Sequence, residues 1–307
     1  MKNTLYQKDI VSIKDLTRDQ ILTILKLAEK LKKKPASNLL NNKIIAHCFF
    51  EASTRTRLSF ETATIKLGGK VIGFADPENI STKKGESLAD TIQVINSYSD
   101  LIVIRHPKDG AARLAAEISD KPVINAGDGA NQHPTQALLD LFTIQECQKK
   151  LAGINIALVG DLKYGRTVHS LVEACALFDI RFFLVAPESL TLPPQLWNLL
   201  KANNIKFSFH QSLDEIISKI DILYMTRLQR ERLDKTEQQA QNSQHILVPA
   251  LLTKAKANLK ILHPLPRVDE IDPTIDKSPF AYYFQQAANA VWLRQALLTL
   301  LLNRSLS

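Results

Sequence analysis

With 307 residues, 45% of them hydrophobic and 23% charged, the chain is long enough for two well-filled domains and too apolar for a disordered or fibrous class. No apolar stretch reaches the roughly 18 residues of a membrane span, and Met1 to Asp15 carries no secretory pattern. The net charge of +8 is scattered over short polar loops, which argues against a nucleic-acid partner and for small anionic ligands.

The first predicted helix runs from Thr17 to Lys34. Thr17 and Gln20 have capping-box spacing, Ile21, Ile24, Leu25 and Ala28 share a face, and the run Lys30, Lys32, Lys33 and Lys34 complements the helix dipole. Pro35 ends it. Strands and helices then alternate. Ile44 to Phe50 reads as a buried strand, Thr54 to Leu67 as a helix closed by Gly68 and Gly69, and Val71 to Phe74 as a strand. A helix over Leu88 to Tyr98, a strand over Leu101 to Ile104, a helix over Ala111 to Ile118 and a strand over Val123 to Asn125 complete the first set. Pro134 suits the first turn of a long helix reaching Lys149.

A second series follows. Its strands lie near Ile154 to Val159, Phe182 to Val185, Ile205 to Phe209, Ile222 to Tyr224 and Lys260 to Leu262. Helices near Thr167 to Phe178, Pro194 to Ala202 and Leu213 to Lys219 separate the first four. Gln229 to Gln244 is polar, without periodicity, and reads as a mobile loop; Asn289 to Leu302 reads as an apolar closing helix. The alternation predicts an α/β protein of two doubly wound parallel-sheet domains bridged by helices.

The densest chemistry lies in Glu51-Ala52-Ser53-Thr54-Arg55-Thr56-Arg57, between a buried strand and a helix. Ser53 is a suitable N-cap, unpaired backbone N–H groups face outward there, and two arginines in a first turn oppose the dipole unless an anion compensates. Gly160-Asp161-Leu162-Lys163-Tyr164-Gly165 follows a strand, but Leu162 stands where a dinucleotide fingerprint needs its second glycine, and no P-loop is present. Arg105-His106-Pro107, Arg227 with Gln229, and His263-Pro264-Leu265-Pro266-Arg267 all follow predicted strands, where open α/β sheets bind ligands. Asn131-Gln132-His133-Pro134-Thr135-Gln136 opens the long helix, with Gln136 in a position to cap it. Cys48, Cys147 and Cys175 stand far apart among apolar neighbours, which suits free thiols in a reducing cytoplasm.

In this order the segments resemble the carbamoyltransferases. Ser53 to Arg57 is that family's carbamoyl-phosphate signature, and Ser81 to Glu86, Arg105 to Pro107, His133 to Gln136, Gly160 to Thr167, Thr226 to Leu233 and His263 to Ile271 extend the likeness over nearly the whole chain. The loop at Ser81 and Thr82 is one residue shorter than in enteric bacterial relatives. His263 to Arg267 looks like the branch that acts on aspartate; the ornithine branch carries a cysteine at the position of Pro264 and a Ser-Met-Gly motif missing here. A transferase for another amine, or a non-catalytic anion-binding paralogue, is the alternative.

The resemblance implies a carbamoyl-phosphate-binding domain over 1–134 plus 289–307 and an aspartate-binding domain over 135–288. It implies that Ser53, Thr54, Arg55, Thr56 and Arg105 hold the phosphate, with Ser81 and Lys84 supplied by a neighbouring subunit. Thr56, Arg105 and His133 would polarise the carbamoyl carbonyl. Gln136 and the carbonyls of Leu265 and Pro266 would hold the carbamoyl NH₂ and orient the amine. Arg166, Arg227 and Gln229, with Lys84 and Leu265, would bind aspartate. Glu51, Lys163 and Glu237 match positions of ion pairs made on closure. No metal or organic cofactor is called for; a homotrimer with shared sites is implied, separate regulatory chains are compatible with it, and nucleic acid and membrane are not expected partners. The Leu265–Pro266 bond is expected to be cis.

Overall fold

The computed structural model describes residues 3–75, 85–229 and 246–305. Its strands are β1 Ile44–Phe49, β2 Lys70–Phe74, β3 Leu101–His106, β4 Val123–Asp128, β5 Ile154–Val159, β6 Ile180–Val185, β7 Phe207–His210, β8 Ile222–Met225 and β9 Lys260–Leu262. Its α-helices are α1 Arg18–Lys33, α2 Thr54–Lys66, α3 Leu88–Tyr98, α4 Ala111–Ile118, α5 Pro134–Gln148, α6 Arg166–Cys175, α7 Pro194–Ala202 and α8 Tyr283–Leu302. The chain divides into one unit of Met1–Leu139 with Ala288–Ser307 and another of Asp140–Ala287, so both divisions fall inside helices, α5 and α8.

The first unit carries a four-stranded sheet in the order β2-β1-β3-β4, and every pairing in it is parallel. Parallel strands are covered on both faces, and β3, aliphatic from Leu101 to Ile104 and buried from Leu101 to Arg105, fits that position. Val11, Ala46, Cys48, Ile92, Ile102, Ile104, Ala112 and Ala115 form one core layer under α3 and α4. Thr17 and Gln20 make the expected capping box, and α1 buries Ile21, Ile24, Leu25, Ala28 and Leu31. One pairing has no signal in the sequence: Ile10 bridges Ile124 in parallel beside β4, its N–H donating to the Val123 carbonyl at 2.8 Å.

The second unit carries a five-stranded parallel sheet in the order β7-β6-β5-β8-β9. The fold class is therefore the expected one, two parallel-sheet α/β units. Two predicted elements differ. Leu213 to Lys219 forms turns: Ile217 N–H reaches the Leu213 carbonyl at 2.9 Å, but Ile216 and Lys219 bond three residues back. A segment this short adds almost no propagation to offset helix nucleation, while Leu213, Ile216 and Ile217 are buried without a complete helix. The closing helix begins at Tyr283, six residues before Asn289, and the polar Gln286 in its first turns is accommodated there: it is 1% exposed and hydrogen-bonded at both ends of its amide. The predicted loop over 229–244 lies, beyond Gln229, outside the described residues.

Candidate active site

In the first unit, β1 is flanked by β2 on one side and β3 on the other, so the order of strands reverses between β1 and β3. Ligands of open α/β sheets bind at the carboxyl ends of strands at such a reversal. Here those ends carry Glu51 to Arg57 after β1 and Arg105 to Pro107 at and after β3. Phe49 pairs with Arg105, and the Phe50 N–H donates to the Arg105 carbonyl at 2.8 Å, so the two segments leave the sheet side by side. Ser53 takes the N-cap position of α2, with φ −159° and ψ 91°, yet its side chain makes no capping hydrogen bond, contrary to the reading from sequence. The first helical bond is Arg57 N–H to the Ser53 carbonyl at 3.1 Å. The amides of Thr54, Arg55 and Thr56 precede it, at the positive end of the dipole, with no acidic residue in the first turn.

Arg105 is only 9% exposed; its Nε lies 3.3 Å from a Glu51 carboxylate oxygen, and a terminal nitrogen donates to the Ala126 carbonyl at 3.2 Å. These two contacts hold the guanidinium at the end of β3. His133, 4% exposed, sits at the start of α5, where its carbonyl accepts from the Gln136 and Ala137 N–H groups. The turn that delivers it is tied by Asp128, a residue the motifs did not flag. One Asp128 oxygen accepts from the Asn125 side chain and Gln132 N–H, the other from Gly110 N–H and the Asn131 side chain, at 2.8 to 3.1 Å. Gly129 is required beside it, because a Cβ there would stand 1.7 Å from the Asp109 carboxylate at a φ of +49°.

In the second unit the order reverses at β5, between β6 and β8. The segment after β5 leads through Gly160 to Arg166 at the first turn of α6, and the segment after β8 carries Arg227 and Gln229. Asp161 binds these two segments together. One oxygen accepts from Lys163 and Tyr164 N–H at 3.1 and 2.8 Å, and the other from Gln229 N–H at 3.4 Å. Burial raises its carboxyl above the usual range in spite of those donors. The Gly160 backbone runs against Thr226 so closely that a Cβ would meet its carbonyl oxygen at 2.3 Å. Arg166 and Arg227 are each partly exposed, and an Arg227 terminal nitrogen donates to the Leu228 carbonyl at 3.3 Å. A short Asp-x-Lys-Tyr turn is a recognisable Asx signature, and it could have marked Asp161 from sequence.

The stretch after β9 also follows the carboxyl end of a strand in this unit. Leu265 has φ +55°, and the Leu265–Pro266 bond is cis, as expected. The Leu265 N–H donates to His263 Nδ1 at 2.8 Å, so Nε2 carries the ring proton and donates it to Glu270 at 2.6 Å. The other Glu270 oxygen accepts from Val268 and Asp269 N–H, both at 3.1 Å. Burial acts to raise this carboxyl, but the His263 and backbone donors outweigh it and leave it below its ordinary value. Behind His263, Gln286 accepts from its N–H at 2.8 Å and donates to Asp140 at 2.7 Å, and Asp140 also accepts from Tyr224 at 2.8 Å. Arg267 does not face outward for a ligand: it pairs with Asp276 and donates to the Tyr283 hydroxyl at 3.0 Å.

Ser53, Thr54, Arg55, Thr56, Arg105, His133 and Gln136 therefore belong to the first unit, and Arg166, Arg227, Gln229, Leu265 and Pro266 to the second. Ser81, Lys84 and Glu237 lie outside the described residues. Glu51 pairs with Arg105, and Lys163 lies 5.0 Å from the Tyr164 ring. Among the described residues no group of three or more His, Cys, Asp or Glu side chains is arranged to hold a metal ion, and no helix is long and apolar enough to cross a membrane.

Residues 8–146 match the family model for the carbamoyl-P binding domain of aspartate/ornithine carbamoyltransferase, and residues 152–301 match the model for its Asp/Orn binding domain. The chain belongs to the aspartate/ornithine carbamoyltransferase family. Among solved carbamoyltransferases, the aspartate transcarbamoylase of Trypanosoma cruzi in complex with N-(phosphonacetyl)-L-aspartic acid is 40% identical, covers 98% of both chains and superposes with a TM-score of 0.93. The same enzyme with carbamoyl phosphate and aspartate is 39% identical over 98% of this chain and 97% of its own, with a TM-score of 0.92. The catalytic subunit of M. jannaschii aspartate transcarbamoylase is 49% identical over 95% of this chain and 97% of its own, with a TM-score of 0.88.

Proposed function

We propose that this carbamoyltransferase acts on L-aspartate, transferring the carbamoyl group of carbamoyl phosphate to its amino group and releasing N-carbamoyl-L-aspartate and phosphate. The observation that carries the reading is the pairing of Ser53-Thr54-Arg55-Thr56 at a helix start with Arg105 on the neighbouring strand, at the reversal of the first sheet. A phosphate bound there meets helix amides, hydroxyls and two guanidiniums. Arg166 and Arg227 supply the matching charges for a dicarboxylate in the second unit, and the solved relative at 39% identity was crystallised with carbamoyl phosphate and aspartate.

In the reaction the aspartate amine attacks the carbamoyl carbon, and the carbonyl oxygen takes up the electron pair. Thr56, Arg105 and His133 stabilise that oxyanion, and as donors fixed beforehand they reorganise little when charge develops. Gln136 and the Leu265 and Pro266 carbonyls hold the carbamoyl NH₂ and aim the amine. The C–O bond to phosphate then breaks, and the departing phosphate accepts the amine proton. Most of the acceleration comes from holding two mutually repelling anions in reach of each other. Gln229 and Lys84 complete the aspartate contacts in this reading, and Ser81 and Lys84 come from an adjacent subunit of a homotrimer. The enzyme is cytoplasmic and serves pyrimidine biosynthesis, which three unpaired cysteines and the family's chemistry support. The test is carbamoylation measured with aspartate and with ornithine side by side. Formation of carbamoyl aspartate and phosphate in equal amounts is expected; product from ornithine alone would overturn the assignment.

A further inference from the structure

Arg294 of α8 is 2% exposed, its Nε has no hydrogen-bond partner among the described residues, and burial rather than any carboxylate dominates its surroundings. Its guanidinium lies 4.7 Å from the centroid of the Phe60 ring, and one terminal nitrogen donates to the Ser59 hydroxyl. Ser59 in turn donates backward along α2, to the Arg55 carbonyl at 2.5 Å and the Thr56 carbonyl at 3.0 Å. Those carbonyls belong to two residues of the proposed phosphate site. The surroundings do not neutralise the charge. Arg57 is matched by its own partner, Glu61, at 3.1 Å. His47 is 1% exposed with no hydrogen-bond partner on either ring nitrogen among the described residues, and burial together with Arg57 and Arg294 lowers it to about 4, so it is neutral. Burial lowers Arg294 itself to about 9, which leaves it charged at neutral pH.

We propose that Arg294 is a positioning residue for the phosphate site, holding the first turn of α2 through Ser59 and setting an uncompensated positive charge behind it. A buried cation without a counter-ion lowers stability. Its purpose would be served only when a dianion binds at the end of the same turn. The side chain touches no substrate; it fixes the carbonyls of Arg55 and Thr56, and with them the direction of the neighbouring amides and side chains. This rests on the reading of the α2 start as the phosphate site.

The experiment uses the full chain and titrates inorganic phosphate calorimetrically into wild type, Arg55→Ala, Arg294→Met, Arg294→Lys, Ser59→Ala and the Arg294→Met/Ser59→Ala double variant. Loss of binding in Arg55→Ala establishes the site independently. Arg294→Met is then expected to bind phosphate about tenfold more weakly, the equivalent of one charge-assisted hydrogen bond. Its Tm should be equal to or above that of wild type, since an unpaired buried charge is replaced by an apolar chain of similar length. Arg294→Lys, which keeps the charge and one donor, should recover part of the affinity. Ser59→Ala should weaken binding too, and the double variant no further than Arg294→Met, because both act along one chain of bonds. In steady state the KM for carbamoyl phosphate rises and that for aspartate stays within about twofold. If Arg294→Met fails to fold, Ser59→Ala still decides the matter. Wild-type phosphate affinity in both variants, fully additive losses, or a fall in Tm with both KM values raised alike would each overturn the proposal; equal binding by wild type and Arg55→Ala would instead remove the phosphate site on which it rests.

Discussion

Arg105 meets Glu51 at 3.3 Å while only 9% exposed, so under the proposed function an incoming phosphate would compete with a carboxylate for a cation that is already in place. The Ser53 hydroxyl, which makes no capping bond, is likewise uncommitted to its own helix. These details make the side chains separable by experiment. Arg55→Ala, Arg105→Ala and His133→Ala should each fold and each lose on the order of 10² to 10³ in turnover, the usual cost of an oxyanion or phosphate donor. Near-native turnover in any of them removes that residue from its role. Arg227 stands in the other unit, on the segment after β8, bound to the β5 loop through Asp161 and Gln229. Arg227→Ala should therefore raise the KM for aspartate far more than that for carbamoyl phosphate, and an unchanged aspartate KM would argue that another cation binds the carboxylates. Short motifs made these residues legible, since each side chain stands within a few positions of a predicted strand end. Asp128, Glu270 and Gln286 were not legible, because each gathers several donors or acceptors that only the folded turn or a distant element brings together, such as Gly110 for Asp128, the His263 ring for Glu270 and Asp140 for Gln286.

At the scale of elements, the anchors are carboxylates that stitch strand ends. Asp221, just before β8, accepts from Asn155 N–H at 2.9 Å, Lys256 at 2.9 Å and Asn258 at 3.1 Å, so one side chain gathers the starts of β5 and β8 and the turn before β9. Burial alone would raise its carboxyl, but the Asn155, Lys256 and Asn258 donors lower it below the ordinary value of 3.8. A depressed folded value means stability that is fully present above the unfolded value and lost as pH falls through the folded one. Acid unfolding followed by circular dichroism should thus show wild type losing stability below about pH 4. Asp221→Asn should start less stable at pH 7 and lose less between pH 5 and pH 2; parallel curves for the two proteins would show that Asp221 contributes nothing to the acid transition. The same scale explains the missed start of α8. Its first turns look polar and unsuited to a core, yet Gln286 bridges His263 and Asp140, partners 23 and 146 residues away. Sequence periodicity reads local faces; it cannot see a partner supplied by another element.

At the scale of the molecule, the proposed trimer makes a quantitative demand. In that trimer Arg55 would act in its own subunit's site and Lys84 in the next subunit's, so dissociating and reassembling equal amounts of Arg55→Ala and Lys84→Ala should restore about one site in four in a closed three-fold ring. Mixed trimers as inactive as their parents would refute the shared site. The two-unit α/β architecture itself was determined by the sequence: aliphatic strand runs alternate with amphipathic helices, and only parallel sheets covered on both faces satisfy such runs. The proposed anion site at the helix start after β1 was equally local, being written in consecutive residues that bring hydroxyls, guanidiniums and amides together. The tertiary structure decided the strand orders that put the reversals at β1 and β5, the parallel addition of Ile10 to β4, and the collapse of 213–219 into turns. It also decided the buried chain from Arg294 through Ser59 to the α2 carbonyls, which joins residues 235 positions apart. Hydrogen bonds and burial of this kind depend on which surfaces meet, and that is a property of packing between elements, which no local pattern of residues encodes.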